Sequence, residues 1–253
     1  MRWCAGAAPG QVWHPGSVSE DLRVRPAEAD ESAPLAELYG RSRAAARMPP
    51  GVHTAEEDRA WFAARLRDGE HELWVAERDG PLLGYAMATR TWLDHLFVDP
   101  QAQGRGVGGV LLDTVKGVRP GGFCLWVFEV NAPAREFYRR RGLVELERTD
   151  GSGNEEHAPD VRMAWPGLDP MAFYRGLIDE VDDSLGELLS RRVALTRAVQ
   201  AVKPSTDRDH AREREIAERL AGIAPELGAD RLLRIVQTLI TESLEVAGED
   251  GSR

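Results

Sequence analysis

Cysteine is nearly absent from this 253-residue sequence: Cys4 and Cys124 stand far apart and suggest neither a disulfide framework nor a metal site. No apolar run approaches the length of a bilayer span. The first twenty residues carry Trp3, Pro9, Trp13 and Pro15 but no apolar stretch of the signal-peptide kind, so residues 1–20 are expected to be a disordered extension of a cytoplasmic protein. Positive charge is in deficit. A formal net charge of -10 argues against nucleic acid or an anionic membrane as the main partner, and any anionic ligand must be met by a local cluster. Lysine is scarcest of all: of 32 basic residues only Lys116 and Lys203 are lysine, so each is an exception to be explained. What remains is a composition with 42% hydrophobic and 29% charged residues, which is that of a globular chain long enough for one large or two ordinary domains.

The pattern along the chain decides for two domains. From residue 22 to about 165, short β-type runs alternate with helical ones. Strands are predicted at 22–26, 73–77, 82–88, 92–98, 123–130, 143–147 and 161–165, and helices at 33–46, 54–67, 107–118 and 133–141. Thr54 followed by Glu57 makes a capping box, and Asp79-Gly80 is a hairpin turn signal. Such a mixture means an α/β layer fold over 21–165. Pro166, Gly167 and Pro170 break the pattern, and residues 166–170 are expected to be the linker. Beyond them the chain reads as all-α, with three helices at 171–202, 207–223 and 229–247 and a tail at 248–253. The first carries a heptad seam of Tyr174, Ile178, Val181, Leu185, Leu188, Arg192, Leu195, Val199 and Val202. At 1.5 Å per residue it is about 50 Å long, more than two shorter helices can cover, so the seam calls for a second copy of the chain.

Between the strand ending near Asp99-Pro100 and the helix opening at Val107 lies Gln103-Gly104-Arg105-Gly106-Val107-Gly108-Gly109. Glycines let several backbone N–H groups converge, the helix N-terminus adds its dipole, and Arg105 adds a full charge. This arrangement suits a pyrophosphate. Taken alone, the glycines are more simply an ordinary strand-to-helix turn.

The surrounding residues carry more. Leu96-Phe97-Val98-Asp99-Pro100 ahead of this loop resembles the acyl-CoA motif of the GNAT superfamily of N-acyltransferases. Asn131-Ala132-Pro133-Ala134-Arg135-Glu136-Phe137-Tyr138, then Arg141-Gly142-Leu143, resembles its second motif. The resemblance spans 22–165 and implies acetyl-CoA as co-substrate and an amine as acceptor. It implies that Leu96 and Val98 bind the pantetheine arm through their backbone on a splayed strand, that residues 103–109 hold the pyrophosphate, and that Asn131 touches the cofactor arm. Tyr138 matches the tyrosine that protonates the departing thiolate; the plainer alternative is packing in an amphipathic helix. Asp94 shares a strand face with Leu96 and is the candidate general base, or merely a solvated carboxylate, while His95 faces the other way. The loops at 47–53 and 149–156 belong to the acceptor side, the second being most simply a solvated hairpin tip.

In the helical half, Arg192 interrupts an apolar seam, where an unpaired charge is costly. Lys203 follows close to three turns later on nearly the same face. With Arg175, Asp179, Asp182, Asp209, Arg212, Glu213, Gln237 and Ser243 they resemble the type II, all-helical chorismate mutases. By that resemblance Arg192 and Arg175, the latter from the partner subunit of a homodimer, hold carboxylates of chorismate. Lys203 donates to the ether oxygen or a carboxylate, Asp209 and Glu213 address the ring hydroxyl, and Arg212 and Ser243 support the site, with no cofactor and no metal. The family places Gln or Glu where this chain has Ala247. The domain is therefore read as a mutase acting on chorismate or a related dicarboxylate, or as a non-catalytic dimerisation or metabolite-sensing module.

Overall fold

The computed structural model describes residues 22–202 and 209–250. The expected extension at 1–20, Lys203 and the last residues of the tail lie outside them. The described residues form two compact units, dividing between Tyr174 and Arg175.

The first unit contains β1 (Arg23–Pro26), α1 (Ser32–Ala45), α2 (Ala55–Arg65), β2 (Glu72–Glu77), β3 (Leu82–Ala88), β4 (Leu93–Val98), α3 (Val107–Val118), β5 (Phe123–Phe128), α4 (Ala132–Arg140), β6 (Val144–Thr149) and β7 (Asp160–Trp165). The strands form two antiparallel sheets, β1-β2-β3-β4 and β5-β7-β6. Central strands serve two cores by simple alternation. Leu73 and Val75 of β2 and Tyr85 and Met87 of β3 pack with Leu35, Leu38 and Phe62 of α1 and α2. Their neighbours Ala76, Ala86 and Ala88 face the opposite side, against Val107, Leu111, Leu112 and Val115 of α3.

Local signals act as written. Thr54 and Glu57 form the reciprocal capping box at α2, and the turn at Asp79-Gly80 takes positive φ at both residues, as a tight hairpin requires. The functional consequence of the topology lies at the sheet junction. Trp92 bridges Cys124 in parallel and the Cys124 N–H donates to the Thr91 carbonyl at 2.9 Å, but β4 and β5 form no ladder beyond that point. The two strands diverge, and β4 from Leu93 onward presents an unpaired edge.

α5 (Pro170–Val202) is continuous from Pro170, and Phe173 packs its ring against Gly122. The first helical residues thus belong to the first unit, which is why the division falls beyond the Pro-rich break. The second unit contains the rest of α5, α6 (His210–Ile223) and α7 (Gly228–Asp250), the last running into the expected tail. α6 and α7 bury Ala217, Leu232 and Val236 between them, while α5 buries no residue at all. Ile178, Val181, Leu185, Leu188, Leu195 and Val199 of the seam are exposed, Leu188 by 60%. No helix among the described residues is long and apolar enough to cross a membrane.

Candidate functional site

Two cavities open where β4 and β5 part. The first is lined by Leu96, Phe97 and Val98 of β4, by Gln103, Gly104, Gly106, Val107, Gly108 and Gly109, and by Asn131, Phe137, Tyr138 and Arg141. Gly104 and Gly106 both sit at positive φ with open space where a side chain would start. This conformation is costly for other residues and turns the chain so that α3 begins against the cavity. α3 has no side-chain cap at Gly106, leaving its first N–H groups available to a ligand. Gln103 turns inward and donates to the Val98 carbonyl at 3.3 Å, as Ser42 does at 3.0 Å. Asn131 caps α4 by accepting from the Ala134 N–H at 3.3 Å. Arg105, the charge expected at the cradle, is exposed and does not line the cavity. Arg141 does.

The second cavity shares Leu96, Phe97, Asn131, Ala134 and Tyr138 with the first and extends to Tyr39, Arg43, Asp94, His95, Trp126 and Asp160. Tyr138 stands at the junction. Its ring is buried, its hydroxyl has no hydrogen-bond partner among the described residues, and burial pushes the phenol well above its ordinary value. It is therefore a protonated group on the wall shared by the two cavities. Asp94 lies at the cavity's rim, and the protein packed around it holds its carboxyl above the ordinary range. His95 is stacked between Tyr39 and Trp61 and shares a 2.9 Å hydrogen bond between Nδ1 and the Tyr85 hydroxyl. Burial lowers its pKa to about 3, so it is a neutral packing group that also reaches the cavity.

The 149–156 segment is not a free hairpin tip. Thr149, Ser152, Gly153, Asn154 and Glu156 all line the second cavity. Glu156 pairs with Arg43 at 2.5 Å, with both side chains largely buried, and Glu155 meets His53 at 2.8 Å. Arg43 also donates to the Tyr39 hydroxyl at 2.9 Å. Asn154 donates to the Asp160 carboxylate at 3.0 Å, anchoring the loop from below. The loop's place on the acceptor side was expected, but its buried partner Arg43 is written in no local pattern.

In the second unit, Arg192 donates to the Leu239 carbonyl at 2.7 Å and to the Ser243 hydroxyl by a short hydrogen bond. Ser243 in turn donates to Leu239 O at 2.6 Å. Burial pulls the Arg192 guanidinium below its ordinary pKa, and no carboxylate pairs with it among the described residues. It lines a small cavity with Leu195, Thr196, Val199, Gln200, Ile240 and Leu244. Glu213 is buried, with Gln237 Nε2 at 3.3 Å and His210 Nδ1 at 3.1 Å. Asp209 caps α6, accepting from the Ala211 and Arg212 N–H groups. Arg212 pairs with Glu215 in the open, and Arg175 is exposed. The structure thus joins Arg192 to Ser243 and places Glu213 against the same helix α7. Asp209, Arg212 and Arg175 do not line the cavity.

A layered α/β unit opened by a strand splay over a glycine-rich helix entry is the architecture of an acyl-CoA-dependent acyltransferase. Comparison with known proteins agrees. Residues 69–145 match the acetyltransferase (GNAT) domain and residues 174–248 match chorismate mutase type II. The peptidyl-lysine N-acetyltransferase YjaB of Escherichia coli is 33% identical over 100 residues, 39% of this chain and 67% of YjaB. An uncharacterised N-acetyltransferase of Bacillus subtilis, YhfO, is 29% identical over 138 residues, 49% of this chain and 91% of YhfO. A GCN5-related N-acetyltransferase crystal structure from Rhodopseudomonas palustris has the same fold, with a TM-score of 0.50 at 24% identity, covering 59% of this chain and 98% of that one. The chain belongs to the GNAT acetyltransferases, and it carries a type II chorismate mutase domain behind its acetyltransferase domain.

Proposed function

We propose that the first domain transfers an acetyl group from acetyl-CoA to an amine, with Tyr138 as the acid and Asp94 as the base. The observation that carries this reading is the meeting of the two cavities at Tyr138: one fits a pyrophosphate-bearing thioester, the other opens on the same wall. The amine attacks the thioester carbonyl, an N–C bond forms and the C–S bond breaks. Tyr138 passes its proton to the leaving sulfur, the amine's proton leaves towards Asp94, and solvent restores both. Leu96 and Val98 offer backbone groups to the pantetheine arm, as β4 has no strand partner on that side. Asn131 keeps its amide N–H groups for the same arm, and the turn formed by Gln103, Gly104 and residues 106–109 receives the pyrophosphate. In the acceptor cavity Asp94, Glu156 and Asp160 outnumber Arg43, which favours a cationic amine. Lysine side chains are the first acceptors to screen, because YjaB is named a peptidyl-lysine acetyltransferase. Calorimetry tests the donor site: acetyl-CoA should bind, and Gly106→Glu should weaken it strongly by placing a side chain and a negative charge in the cradle. Equal binding by that variant would remove the assignment.

For the second domain the reading is a homodimeric chorismate mutase-type site in which Arg192, Lys203 and Arg175 bind the dicarboxylate and Glu213 addresses its hydroxyl. The half-buried Arg192, unpaired by any described carboxylate, supports an anion site. Ala247 favours the alternative of a metabolite-binding or dimerising module, since loss of one preorganised donor costs on the order of 2.7–4 kcal/mol in the transition state. Incubation with chorismate, followed by its absorbance, separates the two. A mutase consumes chorismate, loses turnover in Lys203→Ala and gains it in Ala247→Gln. A module without catalysis does none of these and, if it senses the ligand, only rises in melting temperature.

A further inference from the structure

The charge at the donor cradle comes from an unexpected place. Arg141 lies in the second acyltransferase motif, well away in sequence from the glycine-rich loop, yet its guanidinium lies against Gly109 in the first turn of α3. A Cβ added at Gly109 would stand 2.4 Å from Nη2 and 2.8 Å from Cζ of Arg141. The same guanidinium covers the Phe137 ring at 4.7 Å, and that ring in turn borders Gly108. Stacking on Phe137 fixes the plane of the fork without using its N–H donors.

This is an adverse place for a cation. The N-terminal turn of a helix carries positive dipole charge, and a cation is repelled there while an anion is attracted. No carboxylate pairs with Arg141 among the described residues. The Lys116 ammonium adds to the same region, donating to the Arg141 carbonyl at 2.5 Å. Its pKa is lowered first by burial and further by the charge of Arg141, against the opposing pull of Asp113. Arg141 lines the donor cavity together with Gly104, Gly106 and Gly108, whereas Arg105 does not. Two sources of positive potential, the α3 N-terminus and the Arg141 guanidinium, meet on one wall.

We infer that Arg141 is a binding residue for the pyrophosphate of CoA, its fork completing the cradle that the α3 N–H groups begin. The inference rests on the reading of this cavity as the acetyl-CoA site. The anionic oxygens of a pyrophosphate suit a planar, fixed guanidinium, which can offer two parallel donors, and Gly109 is the residue that leaves room for it. Arg105 contributes only long-range attraction.

The test uses the full chain and calorimetric dissociation constants for acetyl-CoA, acetyl-dephospho-CoA and S-acetyl-pantetheine. The last lacks the pyrophosphate; the second keeps it but lacks the 3′-phosphate. Arg141→Gln should weaken acetyl-CoA and acetyl-dephospho-CoA alike, by roughly ten- to a hundredfold, the range of one charge-assisted contact, and leave S-acetyl-pantetheine unmoved. Arg105→Ala should change each by no more than about twofold at 0.15 M salt. Gly109→Ala supplies a check that leaves Arg141 in place. Its methyl displaces the guanidinium while favouring the helix, so it should weaken acetyl-CoA in the wild-type background and add little to Arg141→Gln. Unchanged acetyl-CoA affinity in Arg141→Gln would overturn the inference. So would a loss confined to acetyl-CoA, which points to the 3′-phosphate, or a loss shared by S-acetyl-pantetheine, which points to general damage. If wild type binds no acetyl-CoA, the donor-site reading itself has failed, a result distinguishable from all of these.

Discussion

Tyr138→Phe removes a single oxygen, and the structure says what that oxygen is not doing. The hydroxyl makes no hydrogen bond within the described residues, although the ring is 8% exposed and packed edge-to-face on Phe137. Deleting a hydroxyl that leaves no protein donor or acceptor unpaired should change stability by about 0.5 kcal/mol or less. Acetyl-CoA affinity should hold within about twofold, because the thioester sulfur carries no charge before reaction. Turnover is another matter. A positioned acid contributes on the order of 10² to 10⁴ in rate, so the variant should fall by about a hundredfold or more in kcat. The decisive comparison is initial rate by thiol release, dissociation constant by calorimetry and melting temperature, all on one preparation. Burial keeps the phenol protonated well past its usual range, so no alkaline loss of activity near pH 10 should trace to Tyr138. Undiminished turnover would refute the acid role; a fall in rate matched by a fall in melting temperature would make Tyr138 a packing residue.

Asp94→Asn should lower turnover and raise the melting temperature at pH 7. A carboxyl whose folded pKa lies above its unfolded one favours folding when protonated, and that advantage is lost as pH rises through the folded pKa, so the gain from Asn should vanish in acid; a variant equally stable and equally active at pH 7 contradicts this. Glu156→Gln leaves Arg43 without its buried partner and should free the 150–159 loop. The expected result is faster proteolysis there and a raised acceptor KM with acetyl-CoA affinity intact, at a stability cost of about 1.5–3 kcal/mol; an unaltered cleavage pattern would mean that the pair does not hold the loop. Leu188→Glu, on the exposed seam of α5, should convert a sedimenting dimer to a monomer, and a wild-type chain that is monomeric at micromolar concentration would remove the dimer.

The boundaries of nearly every element were legible because their causes are local. Thr54 and Glu57 cap α2 within four residues, Asp79-Gly80 turns its hairpin alone, and Gly228, at positive φ, opens α7. The glycine cradle was legible for the same reason, being one contiguous run that carries its own backbone geometry. So was the place of Tyr138 beside that cradle, through the motif around it. Arg192 was conspicuous as a charge in an apolar period, although its partners on α7 were not.

Only the tertiary structure decided what stands opposite what. Arg43 and Glu156 are 113 residues apart, and nothing local to either announces a buried ion pair or turns a polar hairpin into the roof of a cavity. Arg105 sits inside the motif and faces water, while Arg141, with no local sign of a ligand, covers Gly109. The divergence of β4 from β5 is likewise invisible in either strand, since each has an ordinary β pattern and the opening exists only because the two strands part beyond the single bridge at Trp92 and Cys124. Local propensity can specify a turn, a cap or a strand; the field inside a cavity is summed over side chains that the chain brings together only after it has folded.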